Sequence, residues 1–139
     1  MNKKNKILVI RFSSIGDIVL TTSFLETIKS KFINSEIHFL TLDKFASILD
    51  MQPNVNRVIS LSNSTDLLGL LRFKKYISLA RYNYIYDLHS SLRSRFLTFG
   101  LDANIKTINK PRLLRFLLFQ FHKNKFPINF STIMMYHQC

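Results

Sequence analysis

Asp17 has the strongest claim to chemistry in this chain. It closes the turn Phe12-Ser13-Ser14-Ile15-Gly16, directly after the apolar run Ile7-Leu8-Val9-Ile10, and so sits where a buried strand gives way to a helix. At a helix start the dipole and the free backbone amides favour an ionised carboxylate, which can accept a proton. The same place also suits an acid that only caps the helix, and the residues leave both roles open. Ser13 and Ser14 add two hydroxyls beside it, and Gly16 allows a ligand to come close to the backbone. With one glycine and no Gly-Lys-Ser/Thr ending, the turn is neither a dinucleotide fingerprint nor a P-loop, so NAD binding and ATPase activity lose support.

A second group follows at Tyr86-Asp87-Leu88-His89-Ser90-Ser91-Leu92-Arg93-Ser94-Arg95. His89, Ser90 and Ser91 are candidates to line the same crevice as Ser13 and Asp17, with Arg93 and Arg95 on the next helix, a mixture suited to a polyhydroxylated, anionic ligand. The plainer reading makes His89 a loop histidine, Asp87 a strand-end hydrogen-bond acceptor and the arginines a solvated face. His38, His122 and His137 lack zinc-ligand spacing, and Cys139, the single cysteine, is terminal. With no Asp-x-Asp pair to grip a metal-bound nucleotide diphosphate, neither a metal nor a cofactor is expected.

The third group is basic. Residues 89–139 carry eight Lys/Arg against one acid, Asp102, and so hold seven of the twelve net positive charges; that part should face something anionic. After Pro111, Arg112, Arg115, His122 and Lys123 fall on one helical stripe with Phe119 inside it. Such a helix suits an anionic membrane surface, or else packs on the core with a solvated basic stripe. The solvated reading also covers Arg72, Lys74, Lys75 and Arg81.

These residues need a frame. Ile7–Ile10, Glu36–Thr41, Arg57–Leu61, Tyr84–Leu88 and Asn104–Ile108 read as strands. Helices are expected over Asp17–Phe32, with Ile18, Val19, Thr22, Leu25 and Ile28 on one side, over Lys44–Leu49, from Leu67 to about Ala80 behind an Asp66 cap, over Ser91–Phe99 ended by Gly100, and after Pro111. Strands alternating with helix-length crossovers give an α/β fold, a Rossmann-like parallel sheet with helices on both faces. At 139 residues and 47% hydrophobic composition the chain can build one core; residues 1–130 are expected to form the domain and 131–139 an unanchored tail. Apolar runs stop well short of the roughly 20 residues that span a bilayer, and no signal-peptide pattern follows the basic start, so a cytoplasmic location is expected.

The run Ile7–Thr22, the Glu36–Thr41 strand and Tyr86–Ser94 together resemble the N-terminal domain of glycosyltransferase family 9, the bacterial lipopolysaccharide heptosyltransferases. The similarity extends from about Lys6 to Pro127, with Ser-Ser-x-Gly-Asp as its most specific element. The resemblance implies the N-terminal half of a GT-B fold and inverting, metal-independent transfer of heptose from ADP-heptose to a lipid-linked, phosphorylated, Kdo-bearing acceptor. Asp17 matches the family's general base. Ser13, Ser14, Gly16, His89, Ser90, Arg93 and Arg95 would then bind substrate, and Arg112, Arg115 and Lys123 would meet the acceptor's phosphates or the inner face of the cytoplasmic membrane as a peripheral protein; nucleic acid is not the first choice of partner. Two departures are local: Ser23 stands where the family usually has proline, and Ile33-Asn34 replaces the proline before the second strand. The larger one is length, which leads to the expectation of a truncated or frame-disrupted product without the nucleotide-sugar domain, inactive alone. The alternatives are a non-catalytic basic module that binds membrane or nucleic acid through residues 89–125, and a non-functional remnant.

Overall fold

The computed structural model describes residues 4–108. Within them five strands, β1 (Asn5–Ile10), β2 (Ser35–Leu42), β3 (Arg57–Leu61), β4 (Tyr84–Asp87) and β5 (Asn104–Thr107), form one all-parallel sheet in the order β3-β2-β1-β4-β5. Three α-helices connect them: α1 (Ile15–Lys31), α2 (Leu67–Ala80) and α3 (Leu92–Thr98), with a 3₁₀ segment at Asp43–Leu49. This is the Rossmann-like architecture expected from the alternation of elements.

The central strand explains why the apolar run Ile7–Ile10 is continuous. β1 pairs with β2 through Val9 opposite Phe39 and with β4 through Val9 opposite Tyr86, so both its edges are hydrogen-bonded. Both its faces are covered as well: Ile7 and Val9 pack with Ile18, Leu25 and Ile28 of α1, whereas Leu8 and Ile10 pack with Ile77 of α2 and Leu97 of α3. Alternate side chains thus feed two separate cores, and no polar residue fits between them.

Two expectations need correction. The buried stripe of α1 is Ile18, Thr21, Phe24, Leu25 and Ile28; Val19 is 51% exposed and Thr22 is only half-buried. The spacing of three and four from Ile18 fixes that stripe, and Val19, about 100° further round, turns to solvent. The segment at Lys44–Leu49 is a 3₁₀ helix that begins at Asp43, as short connectors commonly are. The helix expected after Pro111 and the tail at 131–139 lie outside the described residues.

Order reversal creates the crevice. From β1 the chain crosses by α1 to β2 on one side, and from β4 by α3 to β5 on the other, so the carboxyl ends of β1 and β4 diverge beneath helices on opposite faces. Ligands of open α/β sheets bind at such a switch point.

Candidate functional site

Asp17 stands at this switch point. Ser14 is the N-cap of α1, and Asp17 is the third residue of its first turn. Three groups donate to one carboxylate oxygen, Oδ2: the backbone N–H of Ser14 at 3.4 Å, the Ser14 hydroxyl at 3.2 Å, and Nη2 of Arg11. Asp17 therefore does cap the helix, while its side chain remains 30% exposed to the crevice.

Arg11 is the residue that sequence reasoning missed. It leaves the end of β1 with 6% of its side chain exposed, and its other terminal nitrogen, Nη1, donates to the Leu88 carbonyl at 2.6 Å. One guanidinium thus joins the loop after β4 to the carboxylate after β1. The available signal was a charged residue set between the apolar runs of Ile7–Ile10 and Phe12, where burial demands a partner.

Electrostatics follow from these contacts. Burial alone pushes the Asp17 carboxyl up; against it, the Arg11 charge and the hydrogen bonds from Ser14 and Arg11 together hold it below the usual carboxylate range. Asp17 is accordingly ionised at neutral pH, the form a proton acceptor requires.

The loop after β4 forms the opposite wall, braced from below by Asp87. This carboxylate is fully buried; Oδ1 accepts from the backbone N–H groups of His89 (3.0 Å) and Ser90 (2.8 Å), and Oδ2 from the Ser94 hydroxyl (2.8 Å). The strand-end acceptor reading of Asp87 is the one the geometry shows. His89 is partly exposed and its ring meets Phe12 edge-on at 5.1 Å between centroids. Ser90, with φ of 52°, is buried and its hydroxyl accepts from Nη2 of Arg95 at 3.2 Å. Arg93 donates to the Asn63 carbonyl at 3.2 Å, tying the start of α3 to the loop before α2. Ser91 caps α3 by accepting from the Ser94 amide.

Gly16 faces open space: a Cβ built there meets nothing within 4 Å. Ser13 is half-exposed and Ser14 exposed beside it. The first turn and the loop after β4 therefore meet at one crevice, through Arg11. Arg112, Arg115 and Lys123 lie outside the described residues. Among the described residues, no group of three His, Cys, Asp or Glu gathers to hold a metal ion, and no helix is long and apolar enough to cross a membrane.

The arrangement is that of a Rossmann-like domain carrying an ionised carboxylate at its switch point. No family model matches the chain. Its similarities lie with the heptosyltransferases of glycosyltransferase family 9, as the residues of the first turn implied. It is 27% identical over 127 residues to lipopolysaccharide heptosyltransferase 1 of Campylobacter coli, a match covering 91% of this chain and 37% of that protein. A glycosyltransferase family 9 structure from Veillonella parvula aligns over 99% of this chain and 41% of its own, with a TM-score of 0.72 and 20% identity. The Escherichia coli heptosyltransferase WaaC with ADP aligns over 96% of this chain and 45% of its own, with a TM-score of 0.67 and 16% identity. The chain thus spans less than half the length of each of these glycosyltransferases, and what it shares with the solved ones is the fold.

Proposed function

We propose that this chain supplies the acceptor-side half of an inverting heptosyltransferase of lipopolysaccharide core synthesis, with Asp17 as general base. The carrying observation is the placement of an ionised, part-exposed Asp17 at the switch-point crevice of a fold shared with heptosyltransferases. In this reading an acceptor hydroxyl donates a hydrogen bond to Asp17, and as its oxygen attacks the anomeric carbon of ADP-heptose its proton passes to the carboxylate. The anomeric carbon's bond to the diphosphate breaks on the opposite side, ADP departs with the bonding pair, and the configuration inverts. No metal takes part.

The acceptor is a lipid-linked anionic saccharide at the inner face of the cytoplasmic membrane. Ser13 and Ser14 would hydrogen-bond its hydroxyls, Gly16 would leave room for its ring, and His89, Arg93 and Arg95 would face its anionic groups, with Ser90 holding Arg95 in place. ADP-heptose itself is left to residues outside 4–108. The test is an enzyme assembled from this chain and the donor-binding half of a relative, assayed with ADP-heptose and a lipid-linked acceptor. Asp17→Asn leaves the buried Arg11 guanidinium without its counter-charge and should lower the melting temperature, but below that temperature it should keep native circular dichroism and lose transfer; full activity in the folded variant overturns the assignment.

A further inference from the structure

Helix α2 is amphipathic in an unusual sense, because its solvent side is also apolar. Only Ile77 is fully buried, and Leu70, Phe73 and Ala80 pack partly against the sheet. Leu67, Leu68, Leu71 and Leu79 are 65%, 64%, 47% and 72% exposed. At 100° per residue these four fall within an arc of about 120°, with Lys75 inside it and Arg72 at its edge. No acid occurs between Leu67 and Arg81. The patch continues onto α3, where the Lys74 ammonium lies 5.2 Å and 5.4 Å from the ring centroids of Phe96 and Phe99, the latter 79% exposed.

We infer that the outer face of α2 seats this protein on an anionic lipid bilayer, its leucines entering the headgroup boundary and Arg72 and Lys75 reaching up to lipid phosphates. The chemistry of the patch selects this occupant. Isolated surface leucines need no explanation, but here three gather in the first turns of one helix face and a fourth, Leu79, continues that face beyond Lys75. A protein partner is a poorer match, since lysine is depleted from the cores of protein interfaces and Lys75 stands amid the leucines. Lysine and arginine interleaved with leucine, without acids, is the composition of helices that lie in a membrane interface, where long basic side chains extend their charge to the phosphates.

Position adds a consequence. The loop before α2 follows the carboxyl end of β3 and is held to α3 by Arg93 on the Asn63 carbonyl, so the leucine face starts at the carboxyl-end rim of the sheet, the same rim on which the crevice of Asp17 opens. A bilayer against α2 would present lipid-linked saccharides at that rim. The inference rests on the α2 surface alone and names the element through which the proposed acceptor half meets its membrane.

The test is sedimentation of the full chain with phosphatidylcholine vesicles with and without phosphatidylglycerol. The expected result is capture by the anionic vesicles and an affinity at least about tenfold weaker for the neutral ones. In the double variant Leu71→Glu/Leu79→Glu, anionic-vesicle binding should fall by about tenfold or more, with unchanged circular dichroism because both positions are exposed. A matched Arg112→Gln/Arg115→Gln/Lys123→Gln variant separates the C-terminal basic segment. Loss of binding in that variant with the leucine variant unaffected overturns the inference, as does absence of vesicle binding by the parent chain. An oligonucleotide that binds in place of vesicles, or a leucine variant that only converts dimer to monomer in light scattering, overturns it too. Vesicle binding is read without any transfer reaction, so failure of the catalytic reading leaves this result standing.

Discussion

Arg11 and Asp17 form an ion pair across the end of β1 in which the cation is buried and the anion is not, at 6% and 30% side-chain exposure. The asymmetry assigns the roles. A buried guanidinium must have a counter-charge and acceptors, which Asp17 and the Leu88 carbonyl provide. The carboxylate, open on the crevice side, keeps a route to a ligand. Structure and chemistry therefore share one contact: the pair closes the switch point and fixes the charge state of its acid.

Replacing Arg11 by Met should move the acid limb of activity. With the guanidinium gone, burial of Asp17 loses its largest opposing influence, and its carboxyl pKa rises. The ionised base is then lost at higher pH as the solution is acidified, so the limb shifts upward. Carbon-13 NMR of the Asp17 carboxyl would follow the same change directly. An unmoved limb together with an unmoved carboxyl titration refutes the coupling. The stability sign is separate: because folding depresses the Asp17 pKa, the parent's contribution from this group is present above the ordinary value of 3.8 and disappears as pH falls through the folded value.

Gly16 permits a clean separation of fold from function. Its Cβ position is empty space, so Gly16→Ala should fold normally and gain up to about 1 kcal/mol of helix propensity. In the assembled enzyme, Gly16→Val should fold as well yet lower kcat/KM by about tenfold or more if the acceptor passes over this backbone, because a misplaced reactant loses its alignment. Thermal melts beside steady-state kinetics check both halves. Parent-like kinetics in a folded Gly16→Val protein would remove Gly16 from the binding surface.

The frame of this site was legible in the sequence because parallel strands buried on both faces leave unbroken apolar runs, and Ile7–Ile10 could be little else. Asp17 was legible for a related reason, since an acid just after such a run must lie at a strand's carboxyl end. Arg11 was not, because its meaning depends on Leu88, which pairing of β1 with β4 brings alongside from 77 residues away. The α2 surface was hidden similarly. Leu67–Leu71 is an unbroken apolar run in which no polar residue marks a solvent face, and only the docking of Ile77 on the sheet shows which leucines face outward. Val19 was misplaced because α1 carries apolar residues around much of its circumference, which blurs its periodicity.

Asp87 should prove a stability residue. Asp87→Ala removes the acceptor for the buried amide of Ser90 and the part-buried amide of His89, at about 1–3 kcal/mol for the orphaned Ser90 donor and less for the more open His89 one. Asp87→Asn retains one oxygen for those amides and loses only the acceptor of the Ser94 hydroxyl, so it should cost less. Urea unfolding of the two variants gives the order. Equal midpoints would show that the loop after β4 is held by something other than this carboxylate.

A second pH dependence, acting on stability, should arise at the opposite end of the sheet. His38 is buried, with Nδ1 2.8 Å from the Tyr82 hydroxyl and Nε2 2.8 Å from Glu36. A carboxylate only accepts, so Nε2 carries the proton, and in the neutral ring Nδ1 accepts from Tyr82. Burial, the largest influence, holds the His38 pKa below its ordinary 6.5, against the pull of Glu36. The unfolded chain therefore binds a proton near pH 6.5 that the folded chain resists. Stability is then full above that value and declines as pH falls from 6.5 through the folded value. Glu36, its own pKa lowered first by the His38 hydrogen bond, adds a loss only further into acid, below 4.5. Melting temperature should accordingly fall between pH 7 and 5, and His38→Gln should flatten that slope. Tyr82→Phe should cost about 1 kcal/mol at neutral pH by leaving Nδ1 without its donor. A flat profile in the parent chain would mean that folding leaves the His38 pKa at its ordinary value, and a melting temperature that rises as pH falls would mean that His38 is charged and paired with Glu36 in the folded state. Because His38 lies in the amino-terminal half of β2 and its partners are Glu36 and Tyr82, which precedes β4, the melting slope and the Asp17-dependent activity limb should respond to different mutations: His38→Gln should leave the limb in place, and Arg11→Met should leave the slope between pH 7 and 5.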